Sequence, residues 1–221
     1  MKNFKMVISK STDPFFNTET DEYMLKLAGG GAIPPVIRFY KNSDSVILGR
    51  FQCPELEADE EFCAENGIPI IKRISGGGAV FHDLGNLNTA VYIPENLMPA
   101  KYVSECMQIF SNAIRNALLK VGFPAETDTH NSVFVNGKKV SGSAGAKKFG
   151  GFLFHATLLL NADTEKMKKA LNPKKTYEQV KKRCVKSNRS EIINLYEIKF
   201  VREETLINLI SEEIDCTINS F

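Results

Sequence analysis

The sequence lacks any apolar run of the ~18 residues that a membrane-spanning helix requires. Residues 1–16 also lack the apolar segment of a signal peptide. The charge is nearly balanced, because the 221 residues include 28 Lys and Arg against 26 Asp and Glu, and bulk binding of nucleic acid is therefore not indicated. These absences predict a soluble, cytoplasmic protein with no membrane or nucleic-acid partner.

The five cysteines show neither the spacing nor the even number of a cysteine framework. They form no C-x-x-C pair, and they are Cys53, Cys63, Cys106, Cys184 and Cys216. We therefore expect neither a disulfide framework nor a zinc site, in keeping with a reducing compartment.

Several common catalytic patterns are also missing. The chain has no G-x-S-x-G elbow, which disfavours serine-hydrolase chemistry. It has neither G-x-G-x-x-G before a helix nor the G-x-x-x-x-G-K-[ST] loop, so neither of these nucleotide-binding folds is supported. No cysteine lies beside a histidine or in a glycine-rich motif, so the sequence singles out no catalytic thiol.

The pattern that is present predicts one main domain of mixed helices and strands. Asp13 and Pro14 are typical of a helix start, so we expect a helix to about Leu27 with Asp21 and Glu22 facing solvent. Helical spacing and end signals predict further helices at 57–66, 102–121, 165–170, 177–182 and 203–214. Short apolar runs predict strands at 36–40, 45–48, 68–71, 79–81, 87–93 and 152–160. A hairpin of 132–135 with 138–140 is expected around Asn136-Gly137. Strict alternation is absent, which indicates an α/β or α+β domain on a mostly antiparallel sheet.

Three clusters combine glycine or small residues with polar groups. In RISGGGAVFHDLGN, residues 73–86, Gly76 to Gly78 would let a ligand approach the backbone, and Arg73 offers a fork for a carboxylate or phosphate; a β-bulge and turn is the alternative. In GKKVSGSA, residues 137–144, Lys138 and Lys139 point to opposite faces, so one can face a pocket while the other faces solvent. His155 lies in an apolar strand, where a satisfied core histidine is the commoner case.

Together these clusters resemble the lipoate-protein ligase A family. Residues 73–86 are similar to the family's R-x-S-G-G-G-A-V-[FY]-H-D-x-G-N signature, and residues 137–144 to its lysine hairpin. Further similar motifs follow in the family's order: DPFFN at 13–17, Gly49-Arg50 with Gln52, HATLL at 155–159, LNP at 171–173 and SNRS at 187–190. The resemblance covers nearly the whole chain.

The resemblance implies an α+β fold like that of biotin ligases and class II aminoacyl-tRNA synthetases, a mixed sheet flanked by helices. It implies a catalytic domain over residues 1–221 that uses Mg²⁺-ATP to convert lipoate to lipoyl-adenylate. The lipoyl group would then pass to a lysine on a carrier domain of 2-oxoacid dehydrogenases or the glycine-cleavage H protein. The family's essential lysine falls on Lys139, and no metal ligands are assigned. The residues implied to bind substrate or adenylate are Arg73, Ser75, Gly76, Gly77, Gly78, Val80, Phe81, His82, Asn86, Asn131, Ser141, Gly142, Ser143, His155, Ala156 and Thr157.

The chain also departs from the family pattern. His130-Asn131-Ser132 stands where the ligases commonly have R-N-D, Ala156 replaces a glycine, and Lys72 stands where arginine is frequent. Phe221 comes roughly where many ligases begin an accessory domain, so a separate accessory subunit is one expectation. Two alternatives stay open. One is an octanoyl or lipoyl transferase that uses a cysteine, although neither family position for that cysteine holds a thiol here. The other is a non-catalytic lipoyl-binding subunit, which the retained Lys139 disfavours. The lysine-rich stretch 166–186 is either a solvated surface or a surface facing an anion or the carrier.

Overall fold

The computed structural model describes residues 4–219, which form ten strands and eight α-helices. The strands are β1 (Lys5–Ile8), β2 (Val36–Tyr40), β3 (Ser45–Leu48), β4 (Ile70–Lys72), β5 (Val80–His82), β6 (Asn86–Pro94), β7 (Ala125–Thr127), β8 (Val133–Val135), β9 (Lys138–Lys148) and β10 (Gly151–Leu159). The helices are α1 (Pro14–Gly29), α2 (Pro54–Glu57), α3 (Glu60–Glu65), α4 (Val103–Lys120), α5 (Thr164–Ala170), α6 (Tyr177–Val180), α7 (Leu195–Ile198) and α8 (Glu203–Asn219). A single 3₁₀ turn within this range spans Glu95–Leu97. No helix in this part of the chain has the length and apolar content needed to cross a membrane.

A seven-stranded sheet in the order β1-β2-β6-β10-β9-β8-β7 forms the centre of the fold. In this sheet, as far as residues 4–219 show it, β1 and β2 pair in parallel and the other neighbours are antiparallel. The central strand β10 is buried along its whole length, because α4 and α8 cover one face of the sheet and α1 packs on the other. This arrangement confirms the expected α+β class and the mostly antiparallel mixed sheet.

A smaller sheet, β4-β3-β5, lies over the central sheet on the side of α1. Its apolar face packs against α3 and α5, where Val46, Leu48 and Phe81 meet Cys63 and Met167. Residues 73–79 connect β4 to β5 and form the glycine turn. The small sheet therefore places the glycine turn above the face of the central sheet.

Local chemistry explains most of the helix and hairpin ends. The Asp13 carboxylate accepts a hydrogen bond from the Phe15 amide (2.9 Å), so α1 begins at Pro14 as predicted. Asn136 and Gly137 both have positive φ, at 52° and 75°, and they join β8 to β9 in the predicted hairpin.

Other elements differ from the sequence prediction. The helix expected at 57–66 begins only at Glu60, because Ala58 is extended and Asp59 caps α3 by accepting a hydrogen bond from the Phe62 amide (3.1 Å). A separate short helix, α2, ends at Glu57. Strand β9 continues from Lys138 to Lys148, well beyond the predicted end at Val140. The short elements β1, β7 and α7 were not predicted, since each has three or four residues and no distinctive pattern.

The cysteine pattern predicts no disulfide framework, but two of the five cysteines do form a disulfide bond. Cys53 and Cys184 are joined, with a Cα–Cα distance of 5.8 Å and 131 residues between them in sequence. The bond ties down residues 181–190, which have no helix or strand and which we call the strap. The strap is held further by a hydrogen bond from the Val185 amide to the Phe51 carbonyl (2.9 Å) and by an ion pair between Lys182 and Glu55 (2.6 Å).

Candidate active site

Two cavities meet beneath the strap and the glycine turn. The smaller cavity, of about 230 Å³, lies between the glycine turn and the central sheet. The larger cavity, of about 610 Å³, lies between the strap, β9 and α5. Both cavities are lined by Lys139, Gly142, Ser187 and Ser190. A ligand spanning both would therefore pass Lys139 and lie under the strap.

Most of the residues singled out by sequence come together here. Those lining the smaller cavity are Arg73, Gly77, Gly78, Val80, His82, Lys139, Gly142, Ser143, His155, Ala156 and Thr157. Phe81 and Ser141 line the larger cavity.

Lys139 projects from β9 at the junction of the cavities. Its amide donates to the Glu191 carbonyl (2.8 Å) and its carbonyl accepts from the Ile193 amide (3.1 Å), so its main chain is fixed on the side away from β8. Burial lowers the pKa of its ammonium, and the nearby Asp128 carboxylate offsets part of that effect. Within residues 4–219 this ammonium has no ion pair or hydrogen bond. Lys138, by contrast, pairs with exposed Glu191 (2.8 Å).

Arg73 lines the smaller cavity, but its guanidinium is turned toward its own loop. It donates to the carbonyls of Ile47 (3.0 Å), Gly76 (2.6 Å) and Gly78 (2.8 Å) and to the Ser75 hydroxyl (2.9 Å). Burial lowers the pKa of Arg73 to about 10. Instead of offering a free fork to a carboxylate or phosphate, Arg73 holds the glycine turn in shape.

Gly77 shows why this turn requires a bare backbone. It has a φ of 85°, and a Cβ on it would lie 2.9 Å from the Arg73 Nη2 atom. Any side chain at this position would be strained and would also press on the guanidinium that holds the turn.

A buried charge network lies beneath the glycine turn, and the sequence prediction is wrong for one of its members. Asp21, expected to face solvent, is 4% exposed. It binds Arg38 (3.2 Å), the Tyr92 hydroxyl (2.5 Å) and the His155 Nδ1 atom (3.0 Å). Burial alone would raise the pKa of Asp21, but His155 and Arg38 outweigh it and lower the pKa. On its other side, the His155 Nε2 atom lies 2.6 Å from the Ser75 hydroxyl. The network thus connects α1 to the glycine turn.

Four predicted site residues of the described chain line neither cavity and have structural roles. Ser75 and Gly76 bind Arg73 and shape the turn. The Asn86 side chain accepts a hydrogen bond from the Asp83 amide (2.8 Å). Asn131 has a φ of 64°, and its carbonyl accepts hydrogen bonds from the hydroxyls of Ser111 and Ser143. These contacts indicate that the four residues affect binding indirectly, by positioning the residues next to them.

The sequence interpretation also missed several residues that line the smaller cavity. They are Thr18, Asp21, Tyr40, Asn42, Ile47, Asn88 and Asp128. Most lie far along the chain from the glycine signature, so local patterns gave little reason to select them.

A family model described as the lipoyl protein ligase A/B catalytic domain matches residues 13–214. This chain belongs to that family. The lipoate-protein ligase A of Blochmanniella pennsylvanica is 33% identical over 207 residues, covering 90% of this chain and 57% of that protein. The lipoate-protein ligase A subunit 1 of Thermoplasma acidophilum is 33% identical over 171 residues, covering 73% of this chain and 63% of that protein. This member of the family therefore spans less than two thirds of the length of either relative.

Solved structures confirm the expected fold. A lipoate-protein ligase A bound with ATP has a TM-score of 0.77 at 25% identity, over 97% of this chain and 86% of that chain. A bi-partite lipoate protein ligase from Thermoplasma acidophilum has a TM-score of 0.81 at 24% identity, over 99% of this chain and 85% of that chain. The biotin protein ligase of Leishmania major, at 15% identity, has a TM-score of 0.57, over 99% of this chain and 79% of that chain. The lipoyl protein ligase fold and the fold of biotin ligases are thus both recognisable in this chain.

Proposed function

We propose that this protein is an ATP-dependent lipoate-protein ligase, or the catalytic subunit of one. In the first step a lipoate carboxylate oxygen would bond to the α-phosphorus of ATP, and pyrophosphate would leave. In the second step the amine of a carrier lysine would attack the acyl carbon, form an amide, lose a proton and release AMP. The observation that carries the proposal is the half-buried Lys139, whose ammonium has no partner among residues 4–219 and lies at the junction of two cavities in a member of this family.

The two cavities suit two different ligands. We assign the acyl chain to the smaller cavity, where Ile47, Val80, Ala144 and Ala156 provide apolar surface. We assign the nucleotide to the larger cavity, which has the greater volume and is bordered by the strap. The ATP-bound relative supports ATP as the second substrate, and the names of the relatives support lipoate as the acid.

Lys139 would act by charge. Its ammonium would lie against the α-phosphate and the acyl oxygen, where negative charge develops in both steps. Burial leaves the ammonium poorly solvated, which is why its pKa is lowered. An anionic adenylate would supply the missing counter-charge, so binding energy would be concentrated where the bonds change.

Mg²⁺ would enter with ATP. In the described chain no three His, Cys, Asp or Glu side chains are grouped as a metal site. This agrees with an ion held mainly by phosphate oxygens and water, together with one or two carboxylates. Asp128, which lines the smaller cavity near Lys139, is the carboxylate we propose for contact with the ion or its water shell.

The proposed protein partner is a lipoyl carrier domain of a 2-oxoacid dehydrogenase or the glycine-cleavage H protein. A separate accessory subunit is proposed as well, because one relative is named as subunit 1 and a solved relative is a bi-partite ligase. That solved system also includes an E2 lipoyl domain, which supports a lipoyl domain as the carrier. The lysine-rich stretch offers less free charge than its composition suggests, since Lys166, Lys174 and Lys182 pair with acidic side chains. A cytoplasmic location stays a prediction from the sequence.

The cysteine-dependent transferase is the weaker alternative. Among the described residues, Cys53 and Cys184 are bonded to each other, and the free thiols are Cys63, Cys106 and Cys216. None of these five lines either cavity. A thioester intermediate would need a thiol at the junction, so this arrangement favours direct use of ATP.

The test is an assay of purified protein with lipoate, Mg²⁺-ATP and a carrier domain, reading pyrophosphate release and carrier mass. We expect Lys139→Met to abolish pyrophosphate release and Lys147→Met, on the same strand but outside both cavities, to retain it, with both variants folded by circular dichroism. Pyrophosphate release without carrier modification would indicate a missing subunit. Carrier modification from an acylated carrier protein without ATP would disprove the ligase assignment.

A further inference from the structure

Two residues that line the smaller cavity carry a buried hydrogen-bond donor with no acceptor among the described residues. His82 is 6% exposed and Asn88 is 1% exposed, and both residues line this cavity. The His82 Nε2 and Asn88 Nδ2 atoms have no hydrogen-bond partner among residues 4–219. Leaving buried donors unpaired is costly, so such a pair points to a ligand atom that accepts from them.

A chain of side chains fixes the His82 ring as a donor at Nε2. Arg38 can only donate, so the Asn17 atom that it contacts is the oxygen. The Asn17 amide then donates to the Asn42 oxygen (2.8 Å), and the Asn42 amide nitrogen lies 3.0 Å from His82 Nδ1. Nδ1 is therefore the acceptor, and the neutral imidazole carries its hydrogen on Nε2.

The charge state of His82 agrees with this assignment. Burial, together with the neighbouring charges of Arg73 and His155, lowers the pKa of His82 to about 3. The ring is therefore neutral near pH 7 and has one hydrogen, which the Asn42 contact places on Nε2.

The Asn88 amide is oriented in the same way. The Thr157 hydroxyl donates to the Asn88 oxygen (2.5 Å), which leaves the amide nitrogen as the free group. Thr157 pairs with Asn88 on one side and with Gly142 on the other. The Asn88 donor thus belongs to the wall of the cavity formed by the central sheet.

The position of Asn88 indicates which part of the acid it would meet. Gly142, Thr157, Asn88 and Tyr40 are register partners on β9, β10, β6 and β2. Gly142 lies against Lys139, and Asn88 is two strand spacings away, about 10 Å. An acyl chain whose carboxyl group lies at Lys139 would cross the strands and bring its far end to Asn88.

We infer that His82 and Asn88 bind an acceptor atom near the far end of the acyl chain and so select acids that carry one over plain hydrocarbon acids. This inference rests on the proposed function for the identity of the site. The acceptor could be a ring sulfur of lipoate or an oxygen substituent. Octanoate offers neither, so its binding would leave both donors unpaired, the situation in which polar sites discriminate most strongly.

The test compares lipoate, 8-hydroxyoctanoate and octanoate by calorimetric titration without ATP and by kcat/KM for pyrophosphate release. We expect wild type to favour lipoate or the hydroxy acid over octanoate by about tenfold or more. In Asn88→Leu the preference should shrink to about twofold or less. Octanoate should bind more tightly because no donor is left unpaired, and the other two acids should bind less tightly because they lose a hydrogen bond. Asn116→Leu, on the outer helix α4, should retain the wild-type preference. Nitrogen NMR of the His82 ring should show the Nε2–H tautomer, and Asn42→Leu should shift it toward Nδ1–H.

The outcomes separate the two proposals. Equal affinity of wild type for octanoate and both substituted acids, or an unchanged preference in Asn88→Leu, would overturn the inference while leaving the ligase assignment standing. Selective binding without any pyrophosphate release would support the donor pair and count against the ligase assignment. Preference for lipoate alone would identify sulfur as the acceptor, whereas preference for the hydroxy acid would identify oxygen.

Discussion

The side chain of Lys139 lies directly against the backbone of Gly142. A Cβ at Gly142 would be 3.1 Å from the lysine Cε and 3.2 Å from its Nζ. These are tighter than ordinary van der Waals distances, so the absence of a side chain at residue 142 is what lets the ammonium reach the junction of the cavities.

Adding one methyl group at residue 142 should therefore impair catalysis more than folding. In Gly142→Ala we expect pyrophosphate release to fall by about 10- to 100-fold, since a shift of the ammonium of about 1 Å is enough for such a loss. Urea unfolding should change little, because the contacted atoms are the movable end of a side chain. Gly76→Ala is the folding control, since a Cβ there meets nothing within 4 Å. Full activity of Gly142→Ala would show that the lysine position is not critical.

The Asp21 carboxylate should contribute strongly to stability. Asp21→Asn would leave Arg38 buried without its counter-charge, and we expect unfolding free energy to fall by about 3–5 kcal/mol in urea titrations. The matched control is Glu22→Gln on the same helix. Its ion pair with Lys26 (2.7 Å) is exposed, so it should change stability by less than about 0.5 kcal/mol. Similar losses in both variants would rule out a special role for the buried network.

Acid should destabilise the protein through His82. In the unfolded chain this histidine takes up a proton near its ordinary pKa of 6.5, whereas the folded protein resists until about pH 3. The unfolded state therefore binds more protons in this window. The contribution of His82 to the free energy of unfolding should be lost as pH falls from 6.5 toward 3, with a slope of up to about 1.4 kcal/mol per pH unit.

Urea titrations at several pH values check this. His82→Gln should flatten the dependence between pH 6.5 and 4 relative to wild type, whereas His130→Gln should preserve it because the His130 side chain is 73% exposed. Parallel curves for wild type and His82→Gln would show that His82 takes up its proton equally in the folded and unfolded protein, which would contradict the lowered pKa.

Breaking the Cys53–Cys184 bond should release the strap. Cys184→Ser or a reductant is expected to lower unfolding free energy by about 2–4 kcal/mol. Trypsin should then cleave faster after Arg183 and Lys186, because the strap has no helix or strand to protect it. Cys216→Ser removes an exposed free thiol and should leave both measurements unchanged. Cleavage of wild type at the same rate with and without reductant would contradict this role.

Elements with strong local signals were predictable from the sequence. Asp13-Pro14 marked the start of α1, and Asn136-Gly137 marked the hairpin that presents Lys139. The continuation of β9 past Val140 was not predictable, because Gly142 and Gly145 weaken the strand pattern in the sequence. They are tolerated because Lys139 and Met107 occupy the space that their side chains would need.

The sequence predicts the site residues that lie in recognisable motifs. It does not predict the residues that are distant in sequence and meet only in the folded protein. The motifs around Arg73, Lys139 and His155 do converge on the cavities. Asp21 resembled an exposed helix residue because its partners Arg38, Tyr92 and His155 lie 17 to 134 residues away. The Cys53–Cys184 bond was likewise hidden by a separation of 131 residues.

The backbone contacts of Lys139 have a consequence for motion. Glu191 and Ile193 lie directly after the strap in sequence and are hydrogen-bonded to the main chain of Lys139. Within the strap, Ser187 and Ser190 border both cavities. Lifting the strap to exchange ligands would therefore pull on the strand that presents the lysine. Opening the strap and displacing the Lys139 ammonium would then occur together. While the strap is lifted, the ammonium would be out of position for catalysis.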